Sequence, residues 1–308
     1  MNSSFAARAA FVGAVALIVA STVATACRRK EPPAPPVASA TITLNRDKAP
    51  LGSPIDMTYK FVVAPAASGA TGNNAGRFDE DYKVMVHVVD TDEQMIFAFD
   101  HMPPVPTTEW KPGQTVEYTR TEFVPVYPYV GDATIQIGLY STSSQKRLPL
   151  SGDDVGQRAY RAARFQLQPQ TENVFTIFKE GWHPAETAEH NSTVEWQWTK
   201  KSATLAFKNP RKDSVFYLDV DNPGGVFEEP QQVQVLVGGQ VVDRFAATKQ
   251  QTLHKIPLKA DQMGSGDLVE IQIDVDKTFV PALVAASSSK DPRELGVRVF
   301  HAFVQPNN

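Results

Sequence analysis

The 308-residue chain contains a single cysteine, Cys27. No disulfide can form within it, so any core must hold by packing alone, and no thiolate pair is present for a structural zinc site. Six histidines are scattered as His87, His101, His183, His190, His254 and His301, none at the spacing by which a helix offers two ligands to a metal. No Gly-x-Ser-x-Gly occurs, which removes the nucleophile elbow of a hydrolase. A glycosidase pair of carboxylates needs only closeness in space, and no pair stands out. No basic excess exists either: Lys and Arg number 30 against 34 Asp and Glu. Nucleic acid is therefore not an expected partner. With no catalytic or cofactor-binding motif, the expectation is a non-enzymatic protein without a cofactor.

The start of the chain is the exception to this mixed composition. Arg8 is the only charge before Cys27, and an apolar run from Ala9 to Ala20 is followed by small residues to Ala26. A weakly basic start, an apolar centre and a small-residue end are the parts of a secretory signal. Ala24-Thr25-Ala26-Cys27 resembles the lipobox of bacterial lipoproteins, departing from it at Ala24, where leucine is usual. The resemblance implies that residues 1–26 are removed and that Cys27 is lipidated, anchoring the protein to a membrane. Arg28 in place of Asp after the cysteine implies the outer membrane, at its periplasmic or surface face. Loss of Arg8 would leave 29 basic against 34 acidic residues. Residues 27–38 then read as the lipidated cysteine and a linker. In it Pro32, Pro33, Pro35 and Pro36 favour an extended, semi-rigid spacer.

Beyond the linker the apolar period becomes two. From Ile55 to Val63 every odd position is apolar or aromatic; Val84, Val86 and Val88 repeat the pattern, as do Ala133, Ile135, Ile137 and Leu139. Strict alternation marks half-buried strands. Short strands separated by Pro- and Gly-rich turns, without an amphipathic helix, predict an immunoglobulin-like β-sandwich. Ala64 to Gly76 reads as a mobile loop. Pro169 to Thr171 is the best boundary. A second series follows: Leu205 and Phe207; Phe216, Leu218 and Val220; Val233, Val235 and Val237 before the turn Gly238-Gly239. The expectation is an all-β chain with a first sandwich over residues 39–168 and a second over 172–306.

Gly181-Trp182, Glu195-Trp196-Gln197-Trp198-Thr199 and Asp291-Pro292-Arg293-Glu294-Leu295-Gly296 look like a small β-sandwich module associated with bacterial envelope and glycan-handling proteins, over roughly residues 175–304. Asp100-His101, Thr108-Glu109-Trp110-Lys111-Pro112-Gly113 and Gly138-Leu139-Tyr140 resemble modules fused to membrane glycosyltransferases. These resemblances imply a protein or glycan partner, or a scaffold in export or polysaccharide assembly. A hydrolase with an unfamiliar site is the remaining alternative.

Three groups of residues are candidate sites. Trp110 and Trp182, in loops beside prolines, are expected at the surface as ligand-binding platforms. Trp196 and Trp198 share a strand face with Val194 and are expected in the core. Asp219 and Asp221, with Asp274 and Asp276, form two Asp-x-Asp pairs at strand ends that could supply oxygens to Ca²⁺, although such pairs are more often solvated strand ends.

Overall fold

The computed structural model describes residues 34–65, 78–170, 175–189, 191–223, 226–284 and 288–307. The leader, Cys27, His190 and most of the Ala64–Gly76 loop lie outside these residues. No helix among the described residues is long and apolar enough to cross a membrane.

Ten strands form the first sandwich. They are β1 (Ala38–Leu44), β2 (Lys48–Pro50), β3 (Pro54–Val63), β4 (Tyr82–Val89), β5 (Met95–Ala98), β6 (Thr115–Phe123), β7 (Gly131–Ser141), β8 (Leu150–Ser151), β9 (Asp153–Asp154) and β10 (Tyr160–Gln168). One sheet runs β6-β3-β1-β8 and the other β2-β10-β7-β4-β5, with β9 paired to β10. The alternation in β3 is realised in full. Ile55, Met57, Tyr59, Phe61 and Val63 are buried, whereas Lys60 and Val62 between them are exposed. Each inward side chain of this kind contributes roughly 1.5–3 kcal/mol by leaving water.

The second sandwich is built from β11 (Thr176–Phe178), β12 (Glu186–Ala188), β13 (Asn191–Trp198), β14 (Ser202–Lys208), β15 (Ser214–Asp221), β16 (Gln231–Val237), β17 (Gln240–Ala247), β18 (Thr252–Leu258), β19 (Leu268–Val275) and β20 (Arg298–Pro306). Its sheets run β11-β14-β19-β16-β17 and β12-β13-β20-β15-β18. Gly238 and Gly239 take φ of 57° and 77° in the β16–β17 hairpin, the positive values that a two-residue I′ turn requires.

From Pro36 onward the described residues belong to one compact unit. Within it are two hydrophobic clusters with no residue in common. The first runs from Val37 to Leu167 and the second from Leu205 to Val304. The loop before β20 is clamped by its charged side chains. Arg293 donates to both oxygens of Asp291 and pairs with Glu186 at 2.7 Å, and Thr278 donates to Glu294.

Candidate functional site

The end of β6 brings Arg120, Glu122 and Phe123 against the second sandwich. Phe123 stacks on His301 of β20 with centroids 4.0 Å apart and planes 4° apart, and meets the Tyr217 ring edge-on at 6.3 Å. Polar contacts flank this stack. Lys255 donates to both oxygens of Asp56 at 2.8 and 3.1 Å, and Arg46 donates to the Gln305 side-chain oxygen at 3.0 Å. A register shift in the β15–β20 ladder between Asp219 and Val220 sets Asp219 opposite His301. Asp219 accepts from His301 Nδ1 at 3.2 Å and from Gln251 at 2.7 Å. Arg120 Nε donates to Glu122 at 2.7 Å. Burial raises the Glu122 carboxyl above its usual range, opposed by the Arg120 charge.

Two hollows open at this junction, and Phe123 and His301 line both. The smaller, of about 260 Å³, is lined by Phe175, Phe178, Trp196 and Phe300, with Glu195 and Gln197 among its polar groups. Phe175 and Phe178 are 56% and 39% exposed. The Arg298 guanidinium lies 4.8 Å from the Trp196 ring centre, and the buried Trp196 Nε1 has no hydrogen-bond partner among the described residues. The larger hollow, of about 750 Å³, is lined by Arg120, Glu122, Asp219 and Lys255, with Thr119, Thr121, Phe99 and Leu253.

The tryptophans are arranged only in part as the sequence suggested. Trp110, expected at the surface, is 0% exposed. It packs against Phe61 and Phe78 at 5.0 and 5.4 Å, and its indole N–H is satisfied by the Val105 carbonyl at 2.9 Å. A loop of His101 to Gly113 that looks polar and proline-rich thus inserts its one large ring into the first core. Trp182 is half-buried. It donates to the Thr204 carbonyl at 2.7 Å, meets Phe178 edge-on at 4.7 Å and packs against the second core. Trp198 is buried, but not between the sheets. It is paired with Arg298, which is paired with Asp221, while Val220 and Val299 face the core from the neighbouring positions. Phe279 covers it edge-on at 5.7 Å. Trp196, expected in the core, is half-buried and lines the smaller hollow.

The two Asp-x-Asp pairs are not brought together. Asp219 and Asp221 lie on β15, and Asp274 lies on β19 of the other sheet. Asp221 accepts a fork from Arg298 at 2.8 and 2.6 Å, Asp274 accepts from Gln272, and Asp276 accepts the Gln232 backbone N–H. Protein donors therefore already occupy oxygens of all four. Among the described residues no cluster of three or more His, Cys, Asp or Glu is placed to hold a metal ion. His87 does meet Asp100, at 3.7 Å. His101 is buried and bonded to the Phe99 carbonyl and the Tyr118 hydroxyl.

Phe123, Phe175 and His301 were not singled out from sequence. Their signals were present: an apolar run, Val174 to Phe178, just after the boundary, and a histidine interrupting the valines and phenylalanines of the last strand.

The fold is therefore all-β, two antiparallel-dominated sandwiches in tandem. No family model and no curated protein matches the chain. Among solved structures, it is similar to one described as carbohydrate-binding modules of the β-sandwich superfamily. That match has 9% identity over 87% of this chain and 98% of the other, at a TM-score of 0.25. It is also similar to the CBM22 tandem of Paenibacillus barcinonensis Xyn10C, with 9% identity over 88% and 92% of the two chains and a TM-score of 0.26. A Bacteroides uniformis β-glucuronidase matches at 10% identity and a TM-score of 0.31, over 88% of this chain and 30% of that one. The chain thus spans under a third of the glucuronidase's length. Superpositions this loose carry no argument about a ligand.

Proposed function

We propose that this is a lipid-anchored, non-enzymatic protein of the cell envelope that binds a glycan at the junction of its two sandwiches. The observation that carries the binding reading is the smaller hollow. It combines exposed aromatic surface on Phe175 and Phe178 and the half-buried Trp196 ring with carboxylate and amide groups at its edge. A sugar ring has an apolar C–H face and hydroxyls around its rim. Aromatic surface with a few polar groups beside it is the matching chemistry. Affinity electrophoresis of the full chain in gels holding xylan, mixed-linkage β-glucan, mannan or dextran tests it. Retardation that disappears in Trp196→Ala is the expected result. Unchanged mobility of the parent in every gel would remove the reading.

The anchor is read from Cys27, the only cysteine, which follows three small residues. Two or three acyl chains hold a protein stably because each buried methylene contributes about 0.8 kcal/mol. Arg28 supports the outer membrane. Labelling of cells with palmitate should mark the protein and not its Cys27→Ser variant. Equal label in both would refute the anchor.

A further inference from the structure

The two hollows share a wall, and their contents differ in a way that specifies the ligand further. We infer that they are two parts of one groove whose occupant is an uncharged oligosaccharide crossing the Phe123–His301 stack, not a single sugar or an acidic chain. This rests on the glycan reading above and deepens it.

The first argument is size. A hollow of about 260 Å³ falls just under the roughly 300–1,000 Å³ of sites that enclose an organic ligand. On its own it offers one aromatic contact area with a small polar edge. The neighbouring hollow of about 750 Å³ begins at the same two side chains. A ligand that continues over the stack gains a second contact region on the far side of the same two rings. Phe123 comes from the first sandwich and His301 from the second, so the bound chain touches both.

The second argument is charge. Each cation at the larger hollow already has an acidic partner. Arg120 is bonded to Glu122 at 2.7 Å and Lys255 to Asp56 at 2.8 Å; the His301 imidazole is likewise engaged, with Asp219 at 3.2 Å. Two of those carboxylates, Glu122 and Asp219, themselves line the hollow. A uronate or phosphate entering there would face them, and would have to compete for guanidinium and ammonium groups that are already paired. A neutral polyol meets no such opposition. Its hydroxyls can donate to the carboxylates and accept from the Gln251 amide, which also lines the hollow, and from Arg120 N–H groups that have no acceptor among the described residues. Binding that uses no net charge is also little changed by salt.

The test is titration calorimetry of the full chain, purified in detergent, with di- and hexasaccharides of the xylo, cello, laminari, manno and malto series, and with hexagalacturonate. The expected result is that one neutral hexasaccharide binds at least about tenfold tighter than its disaccharide. Its affinity should change less than about twofold when salt is raised from low to high ionic strength. Trp196→Ala should weaken both lengths, whereas Leu253→Ala should weaken only the hexasaccharide. If Leu253→Ala does not fold, the two lengths on the parent protein decide. Equal affinity for both lengths, lost in Trp196→Ala, would overturn the bridging groove and leave the glycan reading standing. Preference for hexagalacturonate with steep salt dependence would overturn the neutral ligand. Binding of no sugar in the set would overturn both readings.

Discussion

Phe123 of the first sandwich and His301 of the second lie ring on ring, 4.0 Å apart and 4° from parallel. Among the described residues no strand pairs across the junction, and the two hydrophobic clusters share no member. Among the described residues the halves meet there through this stack, the edge of Tyr217 and polar contacts such as Lys255 to Asp56.

We accordingly expect residues 39–168 and 172–306 to fold as separate fragments. Each should give a β-type circular dichroism spectrum and a cooperative melt. In the intact chain, a double-mutant cycle on Phe123→Ala and His301→Ala should give a coupling of about 1 kcal/mol, as for other aromatic pairs. A fragment that stays unfolded would show that the sandwiches depend on each other.

Two tryptophans should behave in opposite ways. Trp110→Ala removes a ring that is wholly enclosed beside Phe61 and Phe78, and should lower stability by about 3–5 kcal/mol. Trp196→Ala, at the hollow, should cost about 1 kcal/mol. Urea melts of both variants check this. Similar midpoints for the two would contradict the placement.

Gly181 has no room for a side chain. It has φ of 82°, and a Cβ there would lie 2.0 Å from the Ser202 carbonyl oxygen and 2.6 Å from the Ala203 Cα. Gly181→Ala meets backbone that cannot swing aside, and left-handed strain of roughly 1–2 kcal/mol adds to the clash. Gly156, with φ of 110° but open space around it, carries only the strain. Thermal melts should show Gly181→Ala far below Gly156→Ala.

Acid should weaken the first sandwich through His101. Nδ1 faces the Phe99 carbonyl, which can only accept, so Nδ1 carries the proton and Nε2 accepts from the Tyr118 hydroxyl. Burial pushes the imidazole down to about 4 from its ordinary 6.5. The unfolded chain then binds a proton that the folded one refuses. The contribution is fully present above pH 6.5 and is lost as pH falls towards 4, amounting to about 3 kcal/mol. His101→Gln should flatten the pH dependence of the melting temperature across that window; an unchanged slope would exclude His101 as its source.

The strands were legible because a two-residue period is a local property. Ile55 to Val63, Val84 to Val88 and Val233 to Val237 are buried at the positions that alternation predicts. Which face turns inward is not local, and a period of two is silent on it. Trp196 and Trp198 shared a face as expected. The face was the outer one, because Arg298 and Asp221 pair there while Val220 and Val299 take the core. Trp110 was misplaced for a related reason. Its surroundings in sequence are polar, and only the fold of the loop carries it to Phe61. The junction was not legible at all, since Phe123 and His301 are 178 positions apart, and a strand irregularity beside Asp219 decides how the pair is presented.

The positions of the four tryptophans give the molecule an optical address for each half. Trp110 is the sole indole of the first sandwich and is sealed from solvent, so it adds short-wavelength emission from that sandwich to that of the buried Trp198 in the second, and replacing Trp110 separates the two. Trp182, Trp196 and Trp198 belong to the second, and of these Trp196 stands at the hollow. With Trp110 replaced by Phe, the remaining fluorescence reports the second sandwich alone, and a change in its colour on adding a sugar would come from the groove without any label being attached.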